Sequence, residues 1–202
     1  MKTHAQLYKE WLARPMSWSQ IGSWRWNVAQ WYDGYFLQNR GAATENMLAG
    51  SAIGASFATD HPMAPVPRCD IYEYPLHFKV GNIKCIGFID GLSKDKHQLT
   101  EFKTCARDGK WNQGSVDSHD QITMYLLGLM LQDHIQPQNV KARLIDIRVE
   151  ERGDFTIAVT NPPRIYTYYT KRNLHDVLAF AAEIRRTHKN MLAEIKERQE
   201  RK

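Results

Sequence analysis

Two short stretches in the middle of the chain decide the fold. Residues 86–92 read Ile-Gly-Phe-Ile-Asp-Gly-Leu, and residues 99–104 read Leu-Thr-Glu-Phe-Lys-Thr. Both are rich in β-branched and aromatic residues, and the polar segment 93–97 between them is typical of a turn, so the pattern predicts two antiparallel strands. If the strands pair with residue numbers that sum to 191, Asp90 lies directly across from Glu101, with Cβ atoms about 4.5–5.5 Å apart.

This pairing predicts a site for a divalent cation. Lys103 would share a face with Glu101, because side chains two apart on a strand point the same way. Facing carboxylates repel each other unless a cation lies between them, and Mg²⁺ or Mn²⁺ suits such oxygen ligands. The ion would polarise a phosphate, and Lys103 would orient a water or offset charge on the phosphate. We expect Ile86, Phe88 and Leu99 to make this face apolar, which raises the cost of unpaired charge.

The Glu-x-Lys triplet is not specific by itself. The chain contains others at residues 194–196 and 200–202, and an Asp-x-Lys at residues 108–110. Taken alone, a triplet such as residues 101–103 more often lies on a solvated strand face. The hypothesis of a metal site therefore depends on its context in the rest of the chain.

Apolar spacing predicts helices before, between and after a series of strands. The predicted helices cover residues 4–13, a segment from 17 to 35, 44–58, 118–132 and about 171–199, and the further strands cover 71–80, 142–149 and 155–159. This order predicts an α/β fold, a single α/β/α sandwich with a central mixed β-sheet. We divide the one domain into N-terminal helices (1–60), a catalytic sheet and helix (69–133), and C-terminal strands and helix (141–202).

Composition and charge limit the class of protein. The 202 residues are 43% hydrophobic and 24% charged, which excludes collagen-like and disordered chains. Lys and Arg total 27 against 22 Asp and Glu, a net charge of +5, and residues 171–202 contribute +4 of it with nine basic and five acidic residues. This surplus favours a polyanionic partner.

The cysteines and the apolar segments point to an intracellular protein. Cys69, Cys85 and Cys105 are too widely spaced for a disulfide framework or a Cys-x-x-Cys metal site. The longest nearly apolar stretch, residues 122–131, is ten residues long, whereas a membrane span needs about 20. We therefore expect a cytoplasmic protein without a membrane partner.

Three motifs, in order along the chain, resemble those of the PD-(D/E)XK nuclease superfamily, in particular its RecB-like and phage recombination exonuclease branch. They are Gly-Phe-Ile-Asp-Gly-Leu at 87–92, Thr-Glu-Phe-Lys-Thr at 100–104 and Gln-Ile-Thr-Met-Tyr at 121–125. Residues 17–35 also resemble the N-terminal helix of that branch. The resemblance implies a restriction-endonuclease-like core and a Mg²⁺- or Mn²⁺-dependent deoxyribonuclease, an exonuclease of DNA recombination, repair or phage DNA processing. It implies DNA as the partner, a second copy or a recombination protein as a further one, and the cytoplasm of a bacterium or phage-infected cell as the location.

The resemblance also implies roles for five positions. Asp90, Glu101 and the backbone carbonyl of Phe102 would bind the metal. Lys103 would be the catalytic lysine, and Gln121 would reach this lysine, the attacking water or a phosphate.

Further candidates surround these positions, each with a plainer alternative. Tyr125, four residues after Gln121 and on the same helix face, would support it or simply pack in the core. Arg107 and Lys110 would flank the phosphate backbone or lie in a solvated loop. Trp18 would stack on a nucleotide base or pack between helices.

Two features depart from the branch. Its helix before the strands usually carries a Gly-x-x-x-His or Gly-x-x-x-Glu metal ligand, but residues 50–54 end in Gly54, which has no side chain to offer. Glu45, Asp60 and His61 are the possible substitutes. Loss of this ligand favours the alternative of a catalytically weakened or inactive nuclease-fold protein that binds DNA or assists assembly.

The second departure concerns the iron–sulfur members of the branch. Trp26 stands near the position expected for their first cysteine, and no cysteine follows Cys105. We therefore expect no iron–sulfur cluster.

Overall fold

A computed structural model describes residues 2–39, 41–106, 108–151 and 156–201. Its helices are α1 (His4–Ala13), α2 (Trp18–Trp26), α3 (Val28–Trp31), α4 (Glu45–Ser56), α5 (Gln113–Asp117), α6 (Asp120–Asp133) and α7 (Leu174–Glu200), with a π-helical turn at Tyr32–Phe36 and a 3₁₀ turn at Pro137–Asn139. The strands are β1 (Ile71–Val80), β2 (Ile83–Leu92), β3 (Gln98–Cys105), β4 (Lys141–Glu151), β5 (Ile157–Val159) and β6 (Ile165–Thr170).

The strands form one mixed sheet in the order β1-β2-β3-β4-β5, with β6 also pairing with β4. The β3–β4 pair is parallel, and the other pairs are antiparallel. The parallel pair requires a crossover connection, and α5 and α6 provide it. The predicted mixed sheet is confirmed.

Helices cover both faces of this sheet. On one face, α6 and α7 bury the larger core against β1–β4, and every residue of α6 from Ile122 to Leu129 is buried. On the other face, Ile53 and Phe57 pack on Ile145 and Ile147 of β4. The predicted α/β/α sandwich is therefore confirmed. However, α4 covers only the β3–β4 side of its face.

The predicted helix across residues 17–35 is wrong in one respect, because it is broken at Asn27. The backbone there is extended (φ −158°), and the Asn27 side chain accepts a hydrogen bond from the Gln30 backbone N–H. An asparagine that caps a new helix in this way competes with continuation of the old one.

The C-terminal half differs in two elements. The strand predicted at 155–159 is observed as Ile157–Val159, and Phe155 lies outside the described residues. Strand β6 was not predicted, although its Ile-Tyr-Thr-Tyr-Tyr-Thr sequence is typical of a strand. None of the helices in the described part of the chain combines the length and hydropathy needed to cross a bilayer.

Candidate active site

The site lies where β2 and β3 separate. These strands pair at Gly91 with Thr100 and at Leu92 with Leu99, so the residue numbers sum to 191 as predicted. The ladder ends there, and the next position in this register holds Asp90 and Glu101. Because the strands diverge at this point, both carboxyl groups lie beside the gap.

Asp90 connects the two strands through its side chain. Its Oδ2 accepts a hydrogen bond of 2.8 Å from the Phe102 backbone N–H, in place of a ladder bond between the strands. The N–H and C=O of one strand residue point towards the same neighbouring strand, so the Phe102 carbonyl faces the same gap. The Phe102 ring packs on Phe57 with centroids 4.6 Å apart, which fixes this segment against α4.

The carboxyl groups interact electrostatically in a buried environment. Burial, and then the charge of Glu101, raises the pKa of Asp90 to about 8. Glu101 is only 1% exposed, and burial raises its pKa too, against the opposing charge of Lys103. Within the described residues, Glu101 Oε2 is buried without a hydrogen-bond partner. Two acids in this state favour a proton or a cation beside them.

Lys103 lies at the centre of a chain of polar side chains. It forms an ion pair with Glu101, and its Nζ donates to Gln121 Oε1 at 2.9 Å. Gln121 Nε2 in turn donates to Tyr125 Oη at 2.7 Å. Burial alone would lower the pKa of Lys103, but the charges of Glu101 and Asp90 outweigh it and the pKa is raised. The lysine is therefore held as a cation.

Tyr125 shows both of the features considered for it. It accepts the hydrogen bond from Gln121, and it is also buried, with a ring so close to Gly87 that a Cβ there would lie 3.1 Å from it. Burial, followed by the charges of Glu101 and Asp90, raises the pKa of Tyr125, so its hydroxyl stays protonated.

A cleft of about 700 Å³ opens beside these groups, between the sheet and α4. From the sheet it is lined by Tyr72, Glu73, Asp90, Phe102, Lys103, Thr104 and Ile147, and from the helical side by Asn46, Met47, Gly50, Ser51, Gly54, Ala55, Phe57 and Ala58. The cleft therefore gives a ligand access to Asp90 and Lys103.

Glu73 is a residue of this cleft that the sequence reasoning missed. It has a positive φ of 50°, which is rare and strained for a residue other than glycine. In the β1–β2 register it lies across from Asp90, and burial together with the charge of Asp90 raises its pKa. The signal was present in the sequence, because a two-residue hairpin turn at 81–82 fixes this register.

The position that the resemblance assigns to a helix ligand is Gly54, on α4. Gly54 lines the cleft, and a Cβ built there would meet nothing within 4 Å. The three proposed substitutes, Glu45, Asp60 and His61, are exposed and do not line the cleft. Glu73 is the acidic residue that lies there instead.

The remaining predicted site residues are less closely associated with the cleft. Trp18 is half-buried; it packs edge-on against His119 (centroids 5.9 Å apart) and at a tilt against Phe180 (6.4 Å), which corresponds to the packing alternative. Lys110 is exposed in the loop after β3, and Arg107 lies outside the described residues.

Phe88 differs from the expectation. It is 46% exposed and does not make the carboxylate face apolar, because α4 does not extend over β2. Leu99, by contrast, is fully buried.

His119 is a second residue whose position could not be read from the sequence. It packs against Trp18 and Trp111, and within the described residues its Nε2 is buried without a hydrogen-bond partner. Burial, then the charges of Lys103 and Arg172, lowers its pKa to about 4. The imidazole is therefore neutral at pH 7.

The fit of these residues to a metal is partial. In the described ranges, no group of three or more His, Cys, Asp or Glu residues is placed to hold a metal ion. The partnerless Glu101 oxygen, the Asp90 carboxyl and the Phe102 carbonyl nevertheless form an oxygen-rich set. Mg²⁺ is usually held by one or two carboxylates together with waters and substrate phosphates, so this set fits such an ion.

Comparisons with known proteins add little to this description. No protein-family model matches the chain, and no curated protein matches it significantly. A solved structure described as "Crystal structure of SSO0001" is 16% identical over 94% of this chain and 83% of that one, with a TM-score of 0.42. A likeness this distant carries no argument about function.

Proposed function

We propose that the protein is a Mg²⁺- or Mn²⁺-dependent deoxyribonuclease that hydrolyses phosphodiester bonds. The observation that supports this most is the arrangement at the end of the β2–β3 ladder. Asp90 and Glu101 occupy facing positions there, and Lys103 contacts both Glu101 and Gln121. The burial of these charged groups is costly, and catalysis of this kind gives a reason for it.

Each residue has a distinct role in the proposed reaction. Asp90, Glu101 and the Phe102 carbonyl would hold the divalent ion, which would supply neutralisation and polarisation of the phosphate. Lys103, kept as a cation, would orient the attacking water and offset charge that develops on the phosphate. Gln121 fixes the lysine, and Tyr125 fixes Gln121.

The substrate and setting follow from the same proposal. The net charge of +5 favours a polyanion, and we take it to be DNA. We propose exonuclease action in recombination, repair or phage DNA processing, in the cytoplasm of a bacterium or phage-infected cell, with a second copy or a recombination protein as a further partner.

The test is incubation of the pure protein with end-labelled linear DNA and closed circular DNA, with Mg²⁺, Mn²⁺ or EDTA. An exonuclease degrades the linear DNA only, and only with metal. Lys103→Ala should abolish this, whereas Lys9→Ala, a change of an exposed lysine on α1, should not. Undiminished cleavage by Lys103→Ala would refute the role of the lysine.

A second candidate is a DNA-binding or assembly protein with weakened or no catalysis on the same scaffold. The absent side chain at Gly54 favours it, because the cleft there offers a metal no ligand. DNA binding without cleavage in either metal would support this candidate over the enzyme.

A further inference from the structure

One face of the β1–β2 hairpin is uncovered next to the cleft. The ladder pairs Pro75 with Phe88, His77 with Ile86 and Lys79 with Lys84. We call these six residues the open face. Their alternate neighbours, such as Leu76 and Phe78, are buried on the opposite face against α6.

The open face is accessible because no helix of the described chain packs on it. Five of its residues are exposed and Ile86 is half-buried. Neither core cluster of the described residues includes Ile86 or Phe88, and Phe88 is 46% exposed. A large aromatic side chain is thus left nearly half exposed to water, outside both core clusters of the described residues.

The charge of the open face has one sign. Lys79 and Lys84 lie directly opposite each other, and like charges in this arrangement destabilise a sheet. None of the six residues is acidic. An anion on this face would remove the repulsion.

The open face leads into the cleft. Phe88 lies two residues before Asp90 on the same strand, roughly 7 Å along it. Pro75 is likewise two residues after Glu73 on β1. A ligand that lies along the open face from Lys79 and Lys84 would therefore lead directly to Glu73 and Asp90 in the cleft.

We propose that the open face binds a single strand of DNA and guides it to the cleft. Phe88 stacks on an unpaired base, and Lys79 and Lys84 contact phosphates. An exposed aromatic among cations is the combination by which proteins bind single strands without sequence preference. Bases inside a duplex are already stacked on both faces. The delivery of the strand to the cleft rests on the proposed function, but the binding of the strand to the open face does not.

The experiment measures binding without catalysis. Fluorescence anisotropy of a labelled oligothymidylate is recorded in EDTA over a range of salt concentrations. Phe88→Ala should weaken binding by roughly 5- to 150-fold, and Phe88→Tyr should retain it. The double variant Lys79→Ser/Lys84→Ser should reduce the salt slope by about 1.4, since each phosphate contact contributes about 0.7. Arg185→Ser/Lys189→Ser removes the same charge from α7 and is the matched control.

Three results would overturn the proposal. Phe88→Ala could bind like the wild type, the α7 control could lose as much affinity as the hairpin variant, or duplex DNA could bind more tightly than the single strand. If the open face binds a protein instead of DNA, Phe88→Ala should bind the oligothymidylate like the wild type. Binding of the single strand by the wild-type protein without cleavage in either metal would refute the proposed function instead. The two failures are therefore distinguishable.

Discussion

The ion pair between Lys103 and Glu101 permits a quantitative prediction about stability. Glu101 is 1% exposed, so Lys103→Met leaves a carboxylate that must stay ionised without a partner or take up a proton. Protonation costs about 1.4 kcal/mol for each pH unit above the ordinary glutamate pKa of about 4.3. Because burial already raises the pKa of Glu101 in the wild type, we expect a loss of at most about 4 kcal/mol at pH 7 and about 1 kcal/mol at pH 5, in line with the 3–5 kcal/mol typical of a broken buried pair.

The assay is urea unfolding of the metal-free protein, followed by tryptophan fluorescence at both pH values. Lys103→Met/Glu101→Gln removes both charges and should recover most of the stability at pH 7. A cost of Lys103→Met below about 1 kcal/mol at pH 7, or a cost that does not change with pH, would refute the reasoning. It would mean that the lysine does not hold Glu101 ionised.

Three further predictions concern other parts of the site. In the folded protein the pKa of His119 is about 4, below its unfolded value of about 6.5. The neutral imidazole therefore contributes its full stability above pH 6.5, and the free energy of unfolding falls by roughly 3 kcal/mol at most as the pH drops towards 4. Urea unfolding across this range should show a smaller fall in the free energy of unfolding for His119→Asn. Gly54→Glu should increase Mn²⁺ affinity at least roughly ten-fold in calorimetric titration, because open space at Gly54 faces the cleft, whereas Gly54→Gln should not. Tyr125→Phe removes the acceptor of the Gln121 hydrogen bond and should cost about 1 kcal/mol of stability; equal urea midpoints for variant and wild type would contradict this.

Local signals were sufficient for the central hairpin. The alternation of side chains and the short polar turn set which residues of β2 and β3 could face each other, and the observed register is the predicted one. The spacing of Gln121 and Tyr125 likewise placed both on one face of α6, because helix periodicity is a property of the local chain.

Packing between distant segments decided the features that were missed. The exposure of Phe88 depends on how far α4 extends over the sheet, and the burial of Trp18 depends on α7, more than 150 residues away in the chain. Neither fact has a counterpart in the spacing of nearby residues.

The amino-acid order by itself determined the sandwich, the β2–β3 register that brings Asp90 near Glu101, and the place of Lys103 beside Glu101, since hydrophobic alternation and turn length act over a few residues. Only the tertiary structure decided that β2 and β3 separate at Asp90 and Glu101, that Glu73 adopts a left-handed backbone, and that α4 bounds a cleft beside them. These features arise from packing between elements far apart in the chain. The spacing of neighbouring residues carries no information about which distant surfaces come into contact.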